Sequence, residues 1–390
     1  MGTSSEQIGR LWDAIGTFAS WAISDGAVPA PGGSDFLFGN PHELAPAAYV
    51  DALRRAIEPT GPDHYAYTMS APSATAAVAA GLRARFDMPF AAEDVNMTNG
   101  NFAGLAIVLR AIADPGDEIV YVSPPWFFYE TLILAGGMTP VRVQASRPTF
   151  DLDLEAIRAV LTPRTRAIIV NSPHNPSGRI YQPDALASLA SILDEASAAN
   201  DRRIYLLSDE AYNRIVFDGR TFATPTAFYP HSFLLYTYAK TLLSPGSRLG
   251  YIALPPTMPE RIELREPILL STISMGWGFP VSILQAAVPD LEEIAPDVAA
   301  LQARRDRLCP ALQEQGYEVV VPEGTFYVLV RSPLEDDQTF AKILASHEVA
   351  VLPGAMFEMP GWIRLSLTAN DEMVERSIPG FAASIAEART

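Results

Sequence analysis

The sequence has one cysteine, Cys309, in 390 residues. A lone thiol excludes an internal disulfide framework and a thiolate-rich metal site, so we expect Cys309 to fill space in the core. The 5 histidines are scattered, and none has the paired spacing of a zinc ligand. The sequence therefore predicts no metal centre.

Long apolar runs and basic charge are also scarce. No uninterrupted apolar segment approaches the ~18 to 20 residues that span a bilayer, and the start, MGTSSEQIGRLWDAIG, lacks the basic and apolar regions of an export signal. The formal net charge is −17, from 28 Lys and Arg against 45 Asp and Glu. Such a surface repels phosphate backbones and anionic lipids. These features predict a cytoplasmic protein with neither nucleic-acid nor membrane partners.

The remaining composition, 48% hydrophobic and 19% charged, suits one large or two medium domains. Short apolar runs that end in polar or proline residues predict strands buried on both faces, and the helical periodicity between them predicts crossovers. The fold class is therefore α/β, with a mostly parallel central sheet flanked by helices. The predicted strands are 118–122, 167–170, 204–207, 233–238 and 250–254, and the helices are 73–86, 102–113, 153–161 and 183–198.

A second, smaller α/β unit is predicted from both ends of the chain. A helix at 297–315 is followed by strand-like segments at 317–321, 326–331 and 362–367. We expect a large domain at 46–284 and a discontinuous small domain from 1–45 and 285–390. In open α/β sheets a ligand binds beyond the carboxyl ends of the strands, so the candidate site residues are those that follow the predicted strands of the large domain.

Lys240 follows the apolar strand that contains FLLYT. Removal of a lysine from water favours the neutral amine that a Schiff base requires, although a solvated surface lysine is the more common case. Arg248 follows 8 residues later in SRLGY, and its guanidinium fork suits a phosphate. The hydroxyl of Thr237 adds a donor. This spacing suggests an aldehyde cofactor that bears a phosphate.

Asp209 ends another predicted strand, and Tyr212 follows it. A carboxylate at that place can keep a pyridine nitrogen protonated and so make the ring an electron sink. A helix N-cap is about equally compatible with the aspartate. In the string NSPHNPSG at 171–178 the prolines fix an extended path, which holds Asn175 where its amide can meet a ring oxygen beside Tyr212.

Five further residues complete the candidate site. Gly100, Asn101 and Phe102 precede or open a helix, where free amides can bind an anion, although an ordinary cap is the simpler interpretation. Trp126 can lie flat on a ring or pack in the core. Arg364 lies within an apolar strand and so needs a carboxylate partner, either from the protein or from a substrate.

Together these residues resemble the class I/II aminotransferases that depend on pyridoxal phosphate (PLP), of the aspartate-aminotransferase type and fold type I. The resemblance extends from Gly39 to Arg364, and its most specific pieces are NSPHNPSG at 171–178, SDEAY at 208–212, and Lys240 with SRLGY at 247–251. It implies a PLP-binding large domain and an aminotransferase (EC 2.6.1.-) acting on amino acids and 2-oxo acids.

The resemblance also implies a role for each residue. Lys240 forms the Schiff base and moves the proton, Asp209 holds the pyridine nitrogen, and Arg364 binds the substrate carboxylate with help from Asn175. The other implied cofactor contacts are Tyr212 and Asn175 at the ring oxygen, Trp126 on the ring, and Gly100, Asn101, Phe102, Thr237 and Arg248 around the phosphate. Family members form homodimers in which a partner tyrosine reaches the phosphate, which we expect to be Tyr65, with Tyr67 as the alternative.

Two alternatives remain open at the level of sequence. The same constellation supports β-elimination, racemisation or ring formation, because every residue named acts before those reactions diverge. A regulatory protein that only binds the cofactor is disfavoured, because no basic DNA-binding segment precedes the resemblance. The aromatic residues Trp12, Trp21, Phe36, Phe38 and Trp277 are interpreted as core rather than pocket, and we hypothesise neutral or aromatic amino acids as donors.

Overall fold

The computed structural model describes residues 4–22 and 31–390. Its helices, among those residues, are α1 (Glu6–Ala22), α2 (Ala47–Ile57), α3 (Pro72–Phe86), α4 (Asn101–Ile112), α5 (Tyr129–Ala135), α6 (Leu154–Val160), α7 (Pro183–Ala199), α8 (Tyr238–Thr241), α9 (Arg261–Ser274), α10 (Ser282–Glu293), α11 (Val298–Glu314), α12 (Asp337–Ser346) and α13 (Asp371–Ala388). Its strands are β1 (Ser34–Asp35), β2 (Val95–Thr98), β3 (Glu118–Ser123), β4 (Thr139–Gln144), β5 (Thr165–Asn171), β6 (Tyr205–Asp209), β7 (Ser232–Thr237), β8 (Gly250–Ala253), β9 (Val319–Val320), β10 (Tyr327–Arg331), β11 (Val349–Ala350), β12 (Leu352–Pro353) and β13 (Trp362–Ser366).

The central sheet has 7 strands in the order β2-β8-β7-β6-β5-β3-β4. Strands β4, β3, β5, β6 and β7 are parallel, and β8 alone runs against its neighbours β7 and β2. Successive residues of β5 enter different cores, since Ile168 packs on the side of Leu189 in α7 and Ile169 packs on the side of Leu105 in α4. The sheet is thus buried on both faces, and the predicted mostly parallel α/β fold is confirmed.

The carboxyl ends of the parallel strands bring the candidate residues to one edge. β5 ends at Asn171 and β6 ends at Asp209, which are register partners. On the other side of β6, Thr237 at the end of β7 pairs with Gly250 at the start of the opposed strand β8, and Gly250 also pairs with Thr98. Arg248, Lys240 and the start of α4 therefore lie together at this edge.

A second sheet of 4 strands has the antiparallel order β12-β13-β10-β9, and β1 pairs in parallel with β11. Phe36, directly after β1, is buried in one core with Leu308 of α11 and Phe381 of α13. The expected domain boundary at residue 285 falls inside α10, whose Val288 packs with Ala52 of α2. The division into two domains stays a prediction, and residues 1–3 and 23–30 of its N-terminal part lie outside the described residues.

The single cysteine and the aromatic residues can be compared with their expected places. Cys309 is buried in α11, as predicted, and burial raises the pKa of its thiol to about 12. Phe36 lies in the core of the smaller unit, whereas Trp21 and Phe38 are partly buried against one core of the central sheet and Trp277 against another. The expectation is wrong for Trp12, which is 55% exposed on α1. No helix in the described part of the chain is long and apolar enough to cross a membrane.

Candidate active site

A cavity of about 110 Å³ lies at the carboxyl edge of the central sheet. It is lined by Asn101, Phe102, Trp126, Asn171, Asn175, Asp209, Ala211, Tyr212, Thr237, Ala239, Lys240 and Arg248. Nearly all the residues that the sequence predicted for the site are in this group. Gly100 and Arg364 lie immediately behind it, and Tyr65 lies elsewhere.

Lys240 lies in the short helix α8 that begins directly after β7. Thr237 caps this helix, because its hydroxyl oxygen accepts from the amide of Ala239 at 3.3 Å. The Lys240 Nζ atom lies 5.9 Å from the ring centre of Tyr212 and 5.6 Å from that of Phe326. The sequence has one other lysine, Lys342, which is exposed on α12. Lys240 is therefore the lysine whose amine lies at the cavity.

Arg248 provides a positive charge that no carboxylate neutralises among the described residues. One guanidinium nitrogen donates to the carbonyl of Pro245 at 2.9 Å, and burial lowers the pKa of the group. Gly100 lies against it with φ +85°, and a Cβ at this glycine would lie 2.8 Å from Arg248 Nη2. The backbone conformation therefore favours glycine here, and a side chain at this position would force the arginine to move.

The start of α4 faces the same region. Gly100 is its N-cap and supplies no capping side chain, so the first amides, at Asn101 and Phe102, are free of intrahelical acceptors. The hydroxyl of Thr237 donates to the carbonyl of Leu249 at 3.2 Å. A helix N-terminus beside an unpaired arginine forms a site suited to a phosphate group.

Asp209 is 5% exposed and is held by three donors. Its Oδ1 accepts from Asn101 Nδ2 at 2.7 Å and from the amide of Ala211 at 3.2 Å, and its Oδ2 accepts from the hydroxyl of Tyr129 at 2.5 Å. Burial raises the pKa of Asp209 to about 6, and these hydrogen bonds and Lys240 oppose that rise. The residues that follow Asp209 form a turn and not a helix, so the hydrogen bond from Ala211 caps a turn and Asp209 is not a helix N-cap. Asp209 can therefore serve as the anionic partner of a protonated ring nitrogen.

Arg364, in β13, is 3% exposed and likewise has no carboxylate partner in the described chain. Its Nη1 donates to Asn175 Oδ1 at 3.1 Å and its Nη2 to the carbonyl of Leu37 at 3.2 Å, while its Nε has no acceptor. The guanidinium carbon lies 3.9 Å from the ring centre of Tyr327, and burial lowers the pKa of the arginine. A buried arginine with a spare donor fits the carboxylate of a substrate.

Sequence reasoning missed three residues of this site. Tyr129 contacts Asp209, and Tyr327 contacts Arg364. Asn171 lines the cavity, and its side-chain amide donates to the backbone carbonyl of Asp209 at 2.9 Å. Asn171 was visible in the NSPHNPSG string. The two tyrosines act through contacts between distant elements, for which the local sequence carries no signal.

Tyr65 does not line the cavity of its own chain. It is exposed, and its hydroxyl donates to the carbonyl of Ile57. The alternative, Tyr67, is 87% exposed and packs on Phe279 with 4.9 Å between ring centres. The expected contact of either tyrosine with a partner's phosphate stays a prediction.

The residues around the cavity fit PLP, because they supply an amine, a phosphate site, a buried carboxylate and the unfilled donor of Arg364. The fold and these groups define a PLP-dependent enzyme of fold type I. The family model for aminotransferase class I and II matches residues 33–379. This chain belongs to that family, and the predicted resemblance is confirmed.

Individual relatives agree with this assignment. The chain is 31% identical over 351 residues to a probable aspartate/prephenate aminotransferase of Thermus aquaticus, covering 89% of this chain and 90% of the relative. It is 30% identical over 363 residues to an arginine–pyruvate transaminase of Pseudomonas aeruginosa, covering 90% and 89%. The crystal structure of an amino transferase from Eubacterium rectale superposes with a TM-score of 0.87 at 27% identity, covering 100% and 97%.

These comparisons establish the chain as a PLP-dependent aminotransferase, EC 2.6.1.-, with amino acids and 2-oxo acids as its substrates. Elimination, racemisation and ring formation are not favoured. The roles of individual site residues stay predictions, and the relatives are named for different amino donors.

Proposed function

We propose that this aminotransferase takes its amino group from neutral amino acids with large apolar or aromatic side chains, and that Lys240, Asp209, Arg248 and Arg364 perform the reaction. The observation that carries the proposal is Arg364. A fully buried guanidinium that lacks a carboxylate partner is costly unless a ligand supplies one, and its free Nε can complete a two-point contact with a substrate carboxylate.

PLP supplies an aldehyde that condenses with amines and a ring that withdraws electrons from the substrate. Lys240 Nζ, when neutral, would take the proton from the substrate α-carbon and return it to the carbon of the cofactor that had carried the aldehyde. Arg364 and Asn175 fix the substrate carboxylate, which orients the α-carbon toward Lys240. Asp209 would keep the ring nitrogen protonated, and Tyr212 and Asn175 would donate hydrogen bonds to the ring oxygen. Neither hydrogen of the Asn175 amide has a protein acceptor in the described chain, so both remain available.

The cofactor is held at its phosphate and at its ring face in this proposal. Arg248, Thr237 and the amides of Asn101 and Phe102 surround the phosphate, with Gly100 allowing the arginine to approach. Trp126, which lines the cavity, would lie against the face of the cofactor ring. The indole is partly buried and packs edge-on to Phe102, with 5.0 Å between ring centres.

Aromatic side chains support the proposed donor class. Phe18 of α1 stacks on Phe127 with 4.4 Å between ring centres and lies 6.2 Å from Phe38. Phe38 follows Leu37, whose carbonyl binds Arg364. We call Phe18, Trp21, Phe38, Phe127 and Phe128 the aromatic wall. It continues to Trp126 through Phe128, at 5.1 Å, so it extends from the carboxylate site to the cofactor site.

The charges near the cavity also favour a neutral donor. Lys240 and Arg248 are the only cations of the described chain that line the cavity, and both are assigned to the cofactor. A second substrate carboxylate would meet no further cation among the described residues that line this cavity, and an unpaired buried charge is strongly disfavoured. Aspartate or prephenate is the second candidate substrate, because the relative from Thermus aquaticus is named for both.

A panel of amino donors tests the donor class. Each donor is mixed with cofactor-loaded enzyme, and release of stoichiometric keto acid is measured before 2-oxoglutarate or pyruvate is added as acceptor. We expect kcat/KM for phenylalanine to exceed that for aspartate by about tenfold or more, the cost of an unpaired charge being at least ~1.4 kcal/mol. Rapid turnover of aspartate with no reaction from neutral donors would refute the donor class.

Two variants on the same helix sharpen this test. Phe18→Ala removes the centre of the aromatic wall, whereas Trp12→Ala removes a ring of α1 that is 55% exposed and is not a member of the wall. We expect Phe18→Ala to lower kcat/KM for phenylalanine while leaving kcat/KM for alanine nearly unchanged. Trp12→Ala should affect neither donor. Equal losses for both donors in Phe18→Ala would assign the ring a purely structural role.

We also propose that the enzyme is a homodimer. Large apolar side chains are exposed along α9 and the segment after it, and contiguous exposed apolar surface marks protein interfaces. We call this surface the α9 patch, and its members are Ile262, Leu269, Leu270, Ile273 and Phe279. Tyr67, the alternative to Tyr65 for the contact with a partner's cofactor, packs on Phe279 within this patch.

The oligomeric state tests this surface. Analytical ultracentrifugation should give a dimer for the wild type and a shift toward monomer for Ile273→Glu, which buries a charge in the proposed interface. Val321→Glu places the same charge on an exposed valine outside the α9 patch and should remain dimeric. A fully active wild-type monomer would overturn the proposal. The cytoplasmic location stays a prediction, which cell fractionation tests.

A further inference from the structure

Tyr129 and Asp209 are joined by a buried hydrogen bond that the reaction described above does not use. Tyr129 is the first residue of α5, and its hydroxyl lies 2.5 Å from Asp209 Oδ2. The pKa of this phenol is raised well above its usual value. Burial is the larger cause, and the nearby negative charge of Asp209 raises the pKa further. The phenol therefore stays protonated and acts as a donor to the carboxylate.

Asn101 makes the matching contact on the other oxygen. Its Nδ2 donates to Asp209 Oδ1 at 2.7 Å, while its own Oδ1 has no partner. The side chain is thus oriented by Asp209 alone. Tyr129 opens α5 and Asn101 opens α4, so two helices that follow different strands converge on the carboxylate at the end of β6.

A carboxylate offers about four lone-pair positions. Tyr129, Asn101 and the amide of Ala211 occupy three of them, which leaves one for a donor in the cavity. Each of these bonds also withdraws negative charge from Asp209 and reduces its attraction for a further proton. The number and direction of donors therefore set both where the carboxylate points and how strongly it competes for the proton that it shares with a bound ring.

We propose that Tyr129 and Asn101 are positioning residues which hold Asp209 ionised and in one orientation, so that the proton shared with the cofactor remains on the ring nitrogen. This inference rests on the proposed role of Asp209. Loss of either donor leaves a more basic carboxylate, which draws that proton toward itself. The cofactor ring would then carry less positive charge. It would withdraw electrons less strongly from the Schiff base that it forms with Lys240.

The Schiff base that Lys240 would form with the cofactor becomes more basic when the ring carries less positive charge. The visible absorption band of the cofactor-loaded protein follows the protonation of this Schiff base during a pH titration. We expect Tyr129→Phe to move the midpoint of that titration upward by about one pH unit, the size expected for one lost hydrogen bond to a charged group. Tyr181→Phe is the matched control, because Tyr181 is equally buried and its hydroxyl has no partner. Its midpoint should equal that of the wild type.

Two further variants separate the possible outcomes. Asn101→Ala removes the other donor and keeps the backbone amide, so it should shift the midpoint in the same direction, and it decides the question if Tyr129→Phe does not fold. Asp209→Asn should shift the midpoint further than either. An unchanged midpoint in Asp209→Asn would remove the proposed role of Asp209 itself. A shift in Asp209→Asn with unchanged midpoints in Tyr129→Phe and Asn101→Ala would overturn this inference alone.

Discussion

Arg364 donates to Asn175 across 3.1 Å, and the two residues come from different sheets. Arg364 lies in β13 of the smaller sheet, and Asn175 lies in the loop that follows β5 of the central sheet. The bond occupies the carbonyl oxygen of the Asn175 side chain and so turns its amide hydrogens away from the arginine. One contact therefore orients both the carboxylate site and a donor that lines the cofactor cavity.

Replacement of Arg364 by lysine keeps the positive charge and removes the two-donor fork. We expect kcat/KM for the preferred amino donor to fall by about a hundredfold, since the substrate contact and the bond to Asn175 are charge-assisted hydrogen bonds. Arg331→Lys is the control, because Arg331 is a partly exposed arginine at the end of the adjacent strand β10. Steady-state kinetics would contradict the assignment if the two variants lost equally little activity.

Replacement of Arg248 by glutamine should weaken the cofactor's phosphate contact selectively. We expect the Kd of PLP to rise by about ten- to a hundredfold, and that of pyridoxal, which lacks the phosphate, to change little. Arg147→Gln removes an exposed arginine that packs on Phe150 and should change neither Kd. Equal losses for PLP and pyridoxal in Arg248→Gln would argue against a phosphate contact.

The two candidate tyrosines make different contacts in their own chain. The Tyr65 hydroxyl is engaged by the carbonyl of Ile57, whereas the Tyr67 hydroxyl has no protein partner within the described residues and is exposed. If Tyr65 reaches the partner's phosphate, as the sequence predicts, Tyr65→Phe should raise the Kd of PLP by about tenfold and Tyr67→Phe should not. The reverse result would assign the contact to Tyr67.

His174 should make stability depend on pH in the acid range. It is buried, its Nδ1 lies 2.7 Å from Ser177 Oγ, and burial lowers its pKa from 6.5 to about 4. As the pH falls, the unfolded chain binds a proton at His174 before the folded chain does. The contribution of His174 to stability is therefore complete above pH 6.5 and is lost as the pH falls toward 4. Over that range the wild type should lose about 3 kcal/mol more than His174→Gln in the free energy of unfolding. Urea titrations that give parallel pH profiles would disprove this.

The central sheet could be predicted because its strands are short apolar runs that end in polar residues. The predicted strand 233–238 corresponds to β7 (Ser232–Thr237), and 118–122 corresponds to β3 (Glu118–Ser123). Lys240 was expected directly after a strand, and it lies in α8 at that place. Burial on both faces imposes a continuous apolar pattern, which is visible without any long-range information.

Other features depend on contacts between distant segments and left no local pattern. Tyr129 and Asp209 are 80 residues apart, and their hydrogen bond exists only because α5 and β6 meet at one edge of the sheet. Trp12 was expected in the core, but α1 turns it to the solvent. The apolar residues of α10 pack on α2 and α3, which no local sequence signal specified.

Lys240 is the proposed amine that carries the cofactor, and this role is directly measurable because the sequence contains only two lysines. Protein loaded with PLP is reduced with borohydride and digested, and the modified peptide is identified by mass spectrometry. We predict that the tag is found on Lys240, that Lys342→Arg is tagged to the same extent as the wild type, and that Lys240→Arg carries no tag. A tag on Lys342, or undiminished labelling and transamination in Lys240→Arg, would contradict the account.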